Sequence, residues 1–275
     1  MLVYQLSRST VQQLNFDLAD FDSITMELPS GLYTTFRTYA DRTRVIGLRA
    51  HLDRLYLPAK VLGMNVVLNQ GLLKERLADL LKSLAPHEAR LRLILDMSKE
   101  PGEIYVLLQE LLALPHEVYR DGVRVDISGA SRENPALKQT TFISESSSQR
   151  KRLGGQIFEI LLTHNGRILE GMTSNFFYVR DGELSTAKHG VLSGVTREAV
   201  LTIARQAGIR VRYKALTLRE ILEIDEAFIT SSSRGVVPVV QIADQLVRNG
   251  KVGKTTKRLM NLYEQQISDI AEPII

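Results

Sequence analysis

The sequence has no cysteine and no tryptophan among its 275 residues, and aromatic side chains make up only 6% of it. The absence of cysteine excludes disulfide frameworks, thiolate zinc sites, cysteine-ligated iron–sulfur clusters and a cysteine nucleophile. The five histidines are scattered and form no HExxH pair, so we predict no metal site. No apolar run reaches the roughly 18 residues of a membrane-spanning helix. Residues 1–5 lack the pattern of a signal peptide. We therefore expect a cytoplasmic protein with no membrane partner.

Neither sign of charge dominates. Lysine and arginine number 35 against 31 aspartates and glutamates, which gives a net charge of +4. This mild basic balance suits an anionic ligand but is weak support for nucleic-acid binding. Residues 149–152 form a short basic run that favours a nucleic acid, but the run is too short to carry that function, and we expect no nucleic-acid partner.

Hydrophobic periodicity indicates a chain of mixed α and β structure. Strand patterns occur at residues 32–39, 90–95, 104–108, 123–127, 160–163, 175–179, 226–230 and 236–242. Helical spacing of apolar residues occurs at residues 48–62, 73–84, 196–207, 218–224 and 256–267, with Pro58 inside the first helix and Pro86 after the second. Residues 128–137 are loop-like and are the predicted interdomain linker.

Three loops contain more small polar residues than a plain connection needs. Residues 190–197 hold a glycine-containing turn that opens a helix, which favours a phosphate but is also typical of an ordinary helix cap. Residues 230–235 place four hydroxyls after a strand, as an anion cradle or as a solvated turn. Residues 170–175 place an acid at the end of an apolar strand, where it either has a cationic partner or is a surface residue.

These loops and three further segments resemble the class IV pyridoxal-phosphate-dependent enzymes, the family of branched-chain aminotransferases, D-amino-acid aminotransferases and aminodeoxychorismate lyases. Residues 170–177 (EGMTSNFF) resemble its E-G-x-x-S-N-[IF]-F segment, and residues 192–197 (LSGVTR) resemble its phosphate-binding L-P-G-[IV]-T-R turn. The other matching segments are GLYTTFR at 31–37, HLDRL at 51–55, DEAFITSSS at 225–233 with VPV at 237–239, and the helix from 253 to 263. Order and spacing agree with the family from about residue 31 to residue 263.

The resemblance implies an α+β, two-domain class IV aminotransferase-like fold. A smaller N-terminal α/β sandwich would cover residues 1–127, and a larger C-terminal pseudo-barrel would cover residues 138–275, with the linker at 128–137. Pyridoxal 5'-phosphate would be the cofactor and would lie between the two domains. The resemblance also implies a homodimer.

The family's coenzyme-binding residues transfer to specific positions of this chain. Lys138 lies 32 residues before Glu170, about the separation of the family's Schiff-base lysine and glutamate, and Lys138 is the implied catalytic residue. Glu170 is expected to contact the pyridine nitrogen and keep it protonated. The groups expected to hold the phosphate are the guanidinium of Arg54, the backbone N–H groups of Val195 and Thr196, and the hydroxyls of Thr196 and Ser232.

Substrate contacts are implied for two neighbouring strands and one turn. An arginine fork suits a substrate carboxylate, although alternating Arg and Leu is also typical of a solvated strand face. The turn near residue 234 could offer backbone amides to the same anion. The implied substrate-binding residues are Tyr33, Thr35, Arg37, Arg90, Arg92, Ser233 and Arg234.

We therefore predict an aminotransferase that moves an amino group between an amino acid and a 2-oxo acid through a Schiff base on Lys138. One alternative is a lyase of the aminodeoxychorismate type that releases pyruvate. Aminotransferases of the family often have Glu at the position of Thr34, whereas the pair Thr34-Thr35 resembles those lyases. Another is a non-catalytic anion-binding protein of the same fold. The presence of Lys138 and Glu170 argues against the latter.

Overall fold

Helices and strands alternate along the chain in the computed structural model, which describes residues 1–18, 20–82, 87–130, 132 and 134–275. The α-helices of this described part are α1 (Phe21–Glu27), α2 (Leu48–Val61), α3 (Gln70–Lys82), α4 (His116–Arg120), α5 (Thr141–Glu145), α6 (Ser147–Arg150), α7 (Val195–Gln206) and α8 (Lys254–Ile270). A 3₁₀-helix covers Leu218–Glu223.

The strands of the described part are β1 (Leu2–Leu6), β2 (Val11–Leu14), β3 (Gly31–Arg37), β4 (Arg44–Ile46), β5 (Ala89–Asp96), β6 (Ile104–Glu110), β7 (Val123–Ser128), β8 (Glu159–His164), β9 (Arg167–Gly171), β10 (Asn175–Arg180), β11 (Glu183–Thr186), β12 (Val211–Tyr213), β13 (Leu216–Thr217), β14 (Glu226–Ser231), β15 (Gly235–Ile242), β16 (Gln245–Leu246) and β17 (Ala271–Pro273).

The long periodic elements agree with the sequence patterns. The first predicted helix is α2, which continues through Pro58 to Val61. The second is α3, and the predicted positions Leu84 and Pro86 lie outside the described residues. The first 30 residues, where the sequence shows no clear pattern, contain β1, β2 and the short helix α1. Asp20 caps α1 by accepting hydrogen bonds from the amides of Asp22 and Ser23.

The chain divides into two units, and each is built from separate segments. The first unit consists of Met1–Leu112, Leu137–Glu145 and Ser268–Ile275, and the second consists of Ala113–Ala136 and Ser146–Ile267. This division differs from the predicted boundaries at 127 and 138. The first difference arises because β7 pairs with β8 and β15 of the second unit. The second arises because the segment from Leu137 runs along β3 of the first unit. Ser131 and Glu133 of the predicted linker lie outside the described residues.

The first unit contains an antiparallel sheet in the order β2-β1-β6-β5-β3. Successive side chains of a strand point to opposite faces, and both faces of this sheet are covered. Phe36 and Leu93 pack on one face with leucines of α2 and α3. Tyr33 and Ile94 pack on the other face with residues of α1 and with Ile143 of α5.

The second unit contains a ten-stranded sheet that closes on itself. Pairing runs in the order β10-β14-β15-β7-β8-β9, and β9 pairs again with β10 where Glu170 lies opposite Asn175. The interior of the unit is apolar and includes Phe176, Ile229 and Val237. The barrel-like sheet, together with the helix-covered sheet of the first unit, confirms the predicted α+β, two-domain fold class.

Candidate active site

One face of the first unit's sheet carries the predicted substrate-binding residues of both strands. In the antiparallel register of β3 and β5, Thr35 lies opposite Arg92 and Arg37 lies opposite Arg90. Tyr33 is two residues from Thr35 and therefore points to the same side. The structure thus brings these five predicted side chains together.

Arg92 is the most buried arginine of this face, with a residue exposure of 5%. Its Nε donates to Thr35 Oγ1 at 3.2 Å, and its Nη1 donates to Thr25 Oγ1 at 2.8 Å and pairs with Asp22 Oδ1 at 2.8 Å. The positive charge is therefore already compensated by α1. A substrate carboxylate at Arg92 must compete with Asp22 for the same guanidinium.

Lys138 lies along the edge of β3, where its carbonyl oxygen accepts a hydrogen bond from the Tyr33 amide at 2.8 Å. Its Nζ lies 4.9 Å from the centroid of the Tyr33 ring, and Arg92 Cζ lies 4.9 Å from the same centroid. The Tyr33 ring thus contacts two cations. The predicted catalytic amine is adjacent to the face that carries the predicted substrate-binding residues.

His51 and Arg54 share one face of α2, because residues three apart on a helix are neighbours. His51 is fully buried, and its Nδ1 lies 2.6 Å from Thr34 Oγ1. Burial, followed by the positive charges of Arg54 and Lys138, holds the pKa of His51 well below its usual 6.5. His51 is therefore neutral at pH 7, and the local charge comes from Arg54 and Lys138. Such a cluster of positive charge suits an anion.

Glu170 is the central acid of the second unit, with an exposure of 2%. Its Oε1 accepts a hydrogen bond from Arg132 Nε at 2.9 Å, and the two side chains are 3% and 6% exposed. Its Oε2 accepts from the Leu192 amide at 3.0 Å and from Asn175 Nδ2 at 3.3 Å. The carboxylate is therefore a buried acceptor with a cationic partner. Sequence reasoning anticipated such a partner for Glu170 but did not find Arg132.

The loop before α7 presents the start of that helix without a side-chain cap. Gly194 occupies the N-cap position and supplies no side-chain hydrogen bond. A Cβ at Gly194 would overlap Asn175 Oδ1, so the close approach of this backbone requires glycine. Val195 and Thr196 form the first turn of α7, where backbone N–H groups and the helix dipole favour an anion. Thr196 is 2% exposed.

The turn between β14 and β15 holds the half-buried residues Ser232 and Ser233. The guanidinium of Arg234 in this turn donates to Ser231 Oγ through Nε at 3.0 Å and pairs through Nη2 with Glu159 Oε2 at 3.1 Å. Sequence reasoning missed Glu159. Its only signal in the sequence is an acid followed directly by three apolar residues at the start of β8.

Two buried glutamates join the three polar loops of the second unit. Glu170 connects the turn that follows it to the loop at Leu192. Glu159 connects the same turn to the turn that contains Arg234. Among the described residues, no group of three or more His, Asp or Glu side chains could hold a metal ion. In that part of the chain no helix is both long and apolar enough to span a membrane.

Residues 31–242 match the sequence profile of the family described as amino-transferase class IV. The chain is a class IV aminotransferase. This class IV aminotransferase is accordingly an enzyme that depends on pyridoxal 5'-phosphate, as the motifs at Glu170 and in the loop before α7 imply.

Relatives of this class IV aminotransferase include enzymes named for different substrates. The D-alanine aminotransferase of Bacillus licheniformis is 25% identical over 260 residues, covering 90% of this chain and 91% of that protein. The branched-chain-amino-acid aminotransferase of Pseudomonas aeruginosa is 23% identical over 268 residues, covering 90% of this chain and 87% of that protein. The crystal structure of the T.th. branched-chain amino acid aminotransferase with pyridoxamine 5'-phosphate has a TM-score of 0.82 and 22% identity, and the match covers 100% of this chain and 98% of that one. This last likeness is one of fold.

Proposed function

We propose that this class IV aminotransferase moves an amino group between an amino acid and a 2-oxo acid, with its coenzyme linked covalently to Lys138. The observation that supports this most directly is the position of Lys138 Nζ, 4.9 Å from the Tyr33 ring that Arg92 also contacts. Pyridoxal 5'-phosphate supplies an aldehyde that takes up amines and a ring that accepts electrons from the substrate carbon. Lys138 Nζ would supply the nucleophile that attaches the coenzyme, and as a free amine it would move a proton at the substrate carbon.

The second unit's residues fit both ends of the coenzyme. Glu170 is buried as an acceptor for the cationic N–H group of Arg132, and a protonated ring nitrogen is a donor of the same kind. An uncapped helix start with a glycine fits a phosphate. We assign the ring nitrogen to Glu170. The proposed phosphate-binding groups are those of Val195, Thr196 and Ser232 in the second unit, together with Arg54 of the first.

The proposed substrate contacts belong to the sheet face of the first unit and to the turn before β15. Tyr33 and Thr35 would line the substrate, and an arginine would bind its carboxylate. Because Asp22 already neutralises Arg92, a second substrate carboxylate would bind there only by displacing that pair. The proposed substrate-binding residues are Tyr33, Thr35, Arg37, Arg90, Arg92, Ser233 and Arg234.

Purified protein with added pyridoxal 5'-phosphate provides the test. We expect a visible coenzyme absorption that is lost on addition of the correct amino donor, tested across L- and D-amino acids, and amino transfer to 2-oxoglutarate. Lys138→Ala should abolish the borohydride-reducible link and the transfer, whereas Lys151→Ala at an exposed position should retain both.

A lyase of the aminodeoxychorismate type is the second candidate, supported by the Thr34-Thr35 pair. Pyruvate release from aminodeoxychorismate without amino transfer from any donor would refute the aminotransferase proposal. Reduction onto an unchanged site in Lys138→Ala would refute the lysine assignment. We also propose a homodimer, and an active monomer in sedimentation velocity would contradict it.

A further inference from the structure

Glu159 is a buried carboxylate that the proposed function leaves without a role. It begins β8, and the three residues after it are apolar and buried, while its own side chain has 0% exposure. Removing a carboxylate from water is strongly unfavourable unless hydrogen bonds and an opposite charge compensate it. The groups that compensate Glu159 therefore indicate what the residue does.

The first group of contacts fixes the turn that follows Glu170. Glu159 Oε2 accepts hydrogen bonds from the Thr173 amide at 3.2 Å, from Ser174 Oγ at 3.1 Å and from the Thr173 hydroxyl. The Gly171 amide closes the turn by donating to the Ser174 carbonyl at 2.8 Å. A Cβ at Gly171 would overlap Ser174 Oγ and lie 3.1 Å from Glu159 Cγ. The buried charge thus holds this turn in one conformation.

The second group of contacts fixes Arg234. Its Nη2 donates to Glu159 Oε2 at 3.1 Å and to Thr173 Oγ1 at 2.6 Å, and its Nε donates to Ser231 Oγ at 3.0 Å. The guanidinium carbon lies 5.2 Å from the centroid of the Phe158 ring. Arg234 is the cationic partner that Glu159 needs, and it belongs to the turn that carries the proposed substrate contacts. In the described part of the chain, the hydrogen bonds of the Arg234 guanidinium are donated by Nε and Nη2.

We propose that Glu159 is a positioning residue for substrate binding. By holding Arg234 and the turn after Glu170 together, it fixes the two turns relative to each other and leaves Nη1 of Arg234 as a donor for a substrate carboxylate. This inference rests on the proposed function, because the arrangement of the two turns affects catalysis only if they bind coenzyme and substrate.

A purely structural role for Glu159 would affect stability and nothing else, so the test needs a matched buried glutamate. Glu226 serves as this control: it is 8% exposed and accepts hydrogen bonds from the amides of Thr255 and Thr256 at 3.0 and 2.7 Å, and it begins β14, at the opposite end of that strand from the turn that contains Arg234. Glu226→Gln is expected to lower the melting temperature while leaving KM unchanged.

Steady-state kinetics on coenzyme-saturated enzyme would compare Glu159→Gln, Arg234→Gln and the double variant. We expect each single change to raise KM for both substrates by about tenfold or more, with a smaller change in kcat, because misplaced binding groups weaken substrate binding. The double variant should raise KM no further than the worse single variant, since both changes remove the same link.

Arg234→Lys provides a second route if Glu159→Gln does not fold. Lysine keeps the positive charge beside the buried carboxylate but lacks the guanidinium fork, so it cannot donate to Glu159 and Ser231 at once. We expect a folded enzyme with a raised KM. A wild-type-like KM in this variant would overturn the proposal.

The remaining outcomes distinguish failure of the proposed function from failure of the positioning role of Glu159. If the wild type binds no coenzyme and transfers no amino group, the proposed function is refuted. If the wild type is active and Glu159→Gln changes only the melting temperature, as Glu226→Gln does, the positioning role alone is refuted. A KM that rises in the double variant by the product of the two single fold-changes would also overturn it, because independent effects add in free energy.

Discussion

Replacing Glu170 by Gln should destabilise the protein even without coenzyme. The change keeps the shape of the side chain but removes a negative charge that faces the buried guanidinium of Arg132 at 2.9 Å. Breaking one side of a buried ion pair costs about 3–5 kcal/mol, because the other charge is left uncompensated. In chains of this size about 1 kcal/mol corresponds to a 2–4 °C change in Tm, so we expect Tm to fall by roughly 6–20 °C.

Thermal unfolding of coenzyme-free protein, followed by circular dichroism, would measure this loss. Glu226→Gln is again the matched control, because Glu226 accepts its hydrogen bonds from the amides and the hydroxyl of two threonines and has no arginine among these donors. Replacing Glu226 weakens hydrogen bonds from these neutral donors, whereas replacing Glu170 also leaves the buried charge of Arg132 without its carboxylate, so the control should lose less stability than Glu170→Gln.

A double variant tests whether the ion pair is the cause. Glu170→Gln combined with Arg132→Gln removes both charges and should recover much of the stability lost in Glu170→Gln alone. The reasoning fails if the two losses simply add, or if Glu170→Gln is no less stable than Glu226→Gln.

Three further changes have expected outcomes of their own. His51 has a lowered pKa in the folded protein, so the unfolded state binds a proton first as pH falls below about 6.5, and the free energy of unfolding should decline there by up to about 1.4 kcal/mol per pH unit. His51→Asn should flatten this decline when the free energy of unfolding is measured against pH. An unchanged slope would contradict the lowered pKa of His51. Gly194→Ala introduces a Cβ that overlaps Asn175. Urea unfolding should therefore show a free energy of unfolding lower by about 1–3 kcal/mol, and a titration should show weaker coenzyme binding. Wild-type values in both measurements would argue against the close packing of Gly194 and Asn175. Asp22→Asn leaves Arg92 without its carboxylate partner and should lower KM for a dicarboxylic 2-oxo acid relative to a monocarboxylic one, whereas equal effects on the two substrates would refute competition at Arg92.

The elements with long regular patterns were predictable from the sequence, and the short irregular ones were not. Helix α2 follows its apolar periodicity because it buries one continuous face, whereas β5 is buried on both faces and is recognisable from its alternating Arg and Leu. Helix α1 has seven residues, of which Phe21, Ile24 and Thr25 are buried, so its apolar stripe is too short to detect. The domain boundaries predicted from local patterns differ from the division of the structure, because pairing over a long sequence separation joins β7 to β15 in the sheet of the second unit.

The candidate site shows the same limit. Lys138 and Glu170 could be proposed as site residues from the sequence, because Glu170 lies in a motif and Lys138 lies at a definite separation before it. Arg132 and Glu159 were missed because their roles appear only through contacts with Glu170 and Arg234, which are 38 and 75 residues away in sequence. A local sequence pattern does not show that two charges far apart in sequence are buried together. The free energy cost of burying one charge without the other arises only in the folded chain.

The interleaving of segments in the two units determines how this enzyme can be dissected or recombined. The chain passes from one unit to the other after Leu112, Ala136, Glu145 and Ile267, so no single cleavage releases either unit as a continuous polypeptide. A truncation after Ile267 would remove β17, the strand that pairs with β4 in the first unit, although the cut falls at the end of the second. Chimeras that exchange one unit with a relative therefore need crossovers at all of these positions, and a chimera joined at one point would inherit mismatched pieces of both.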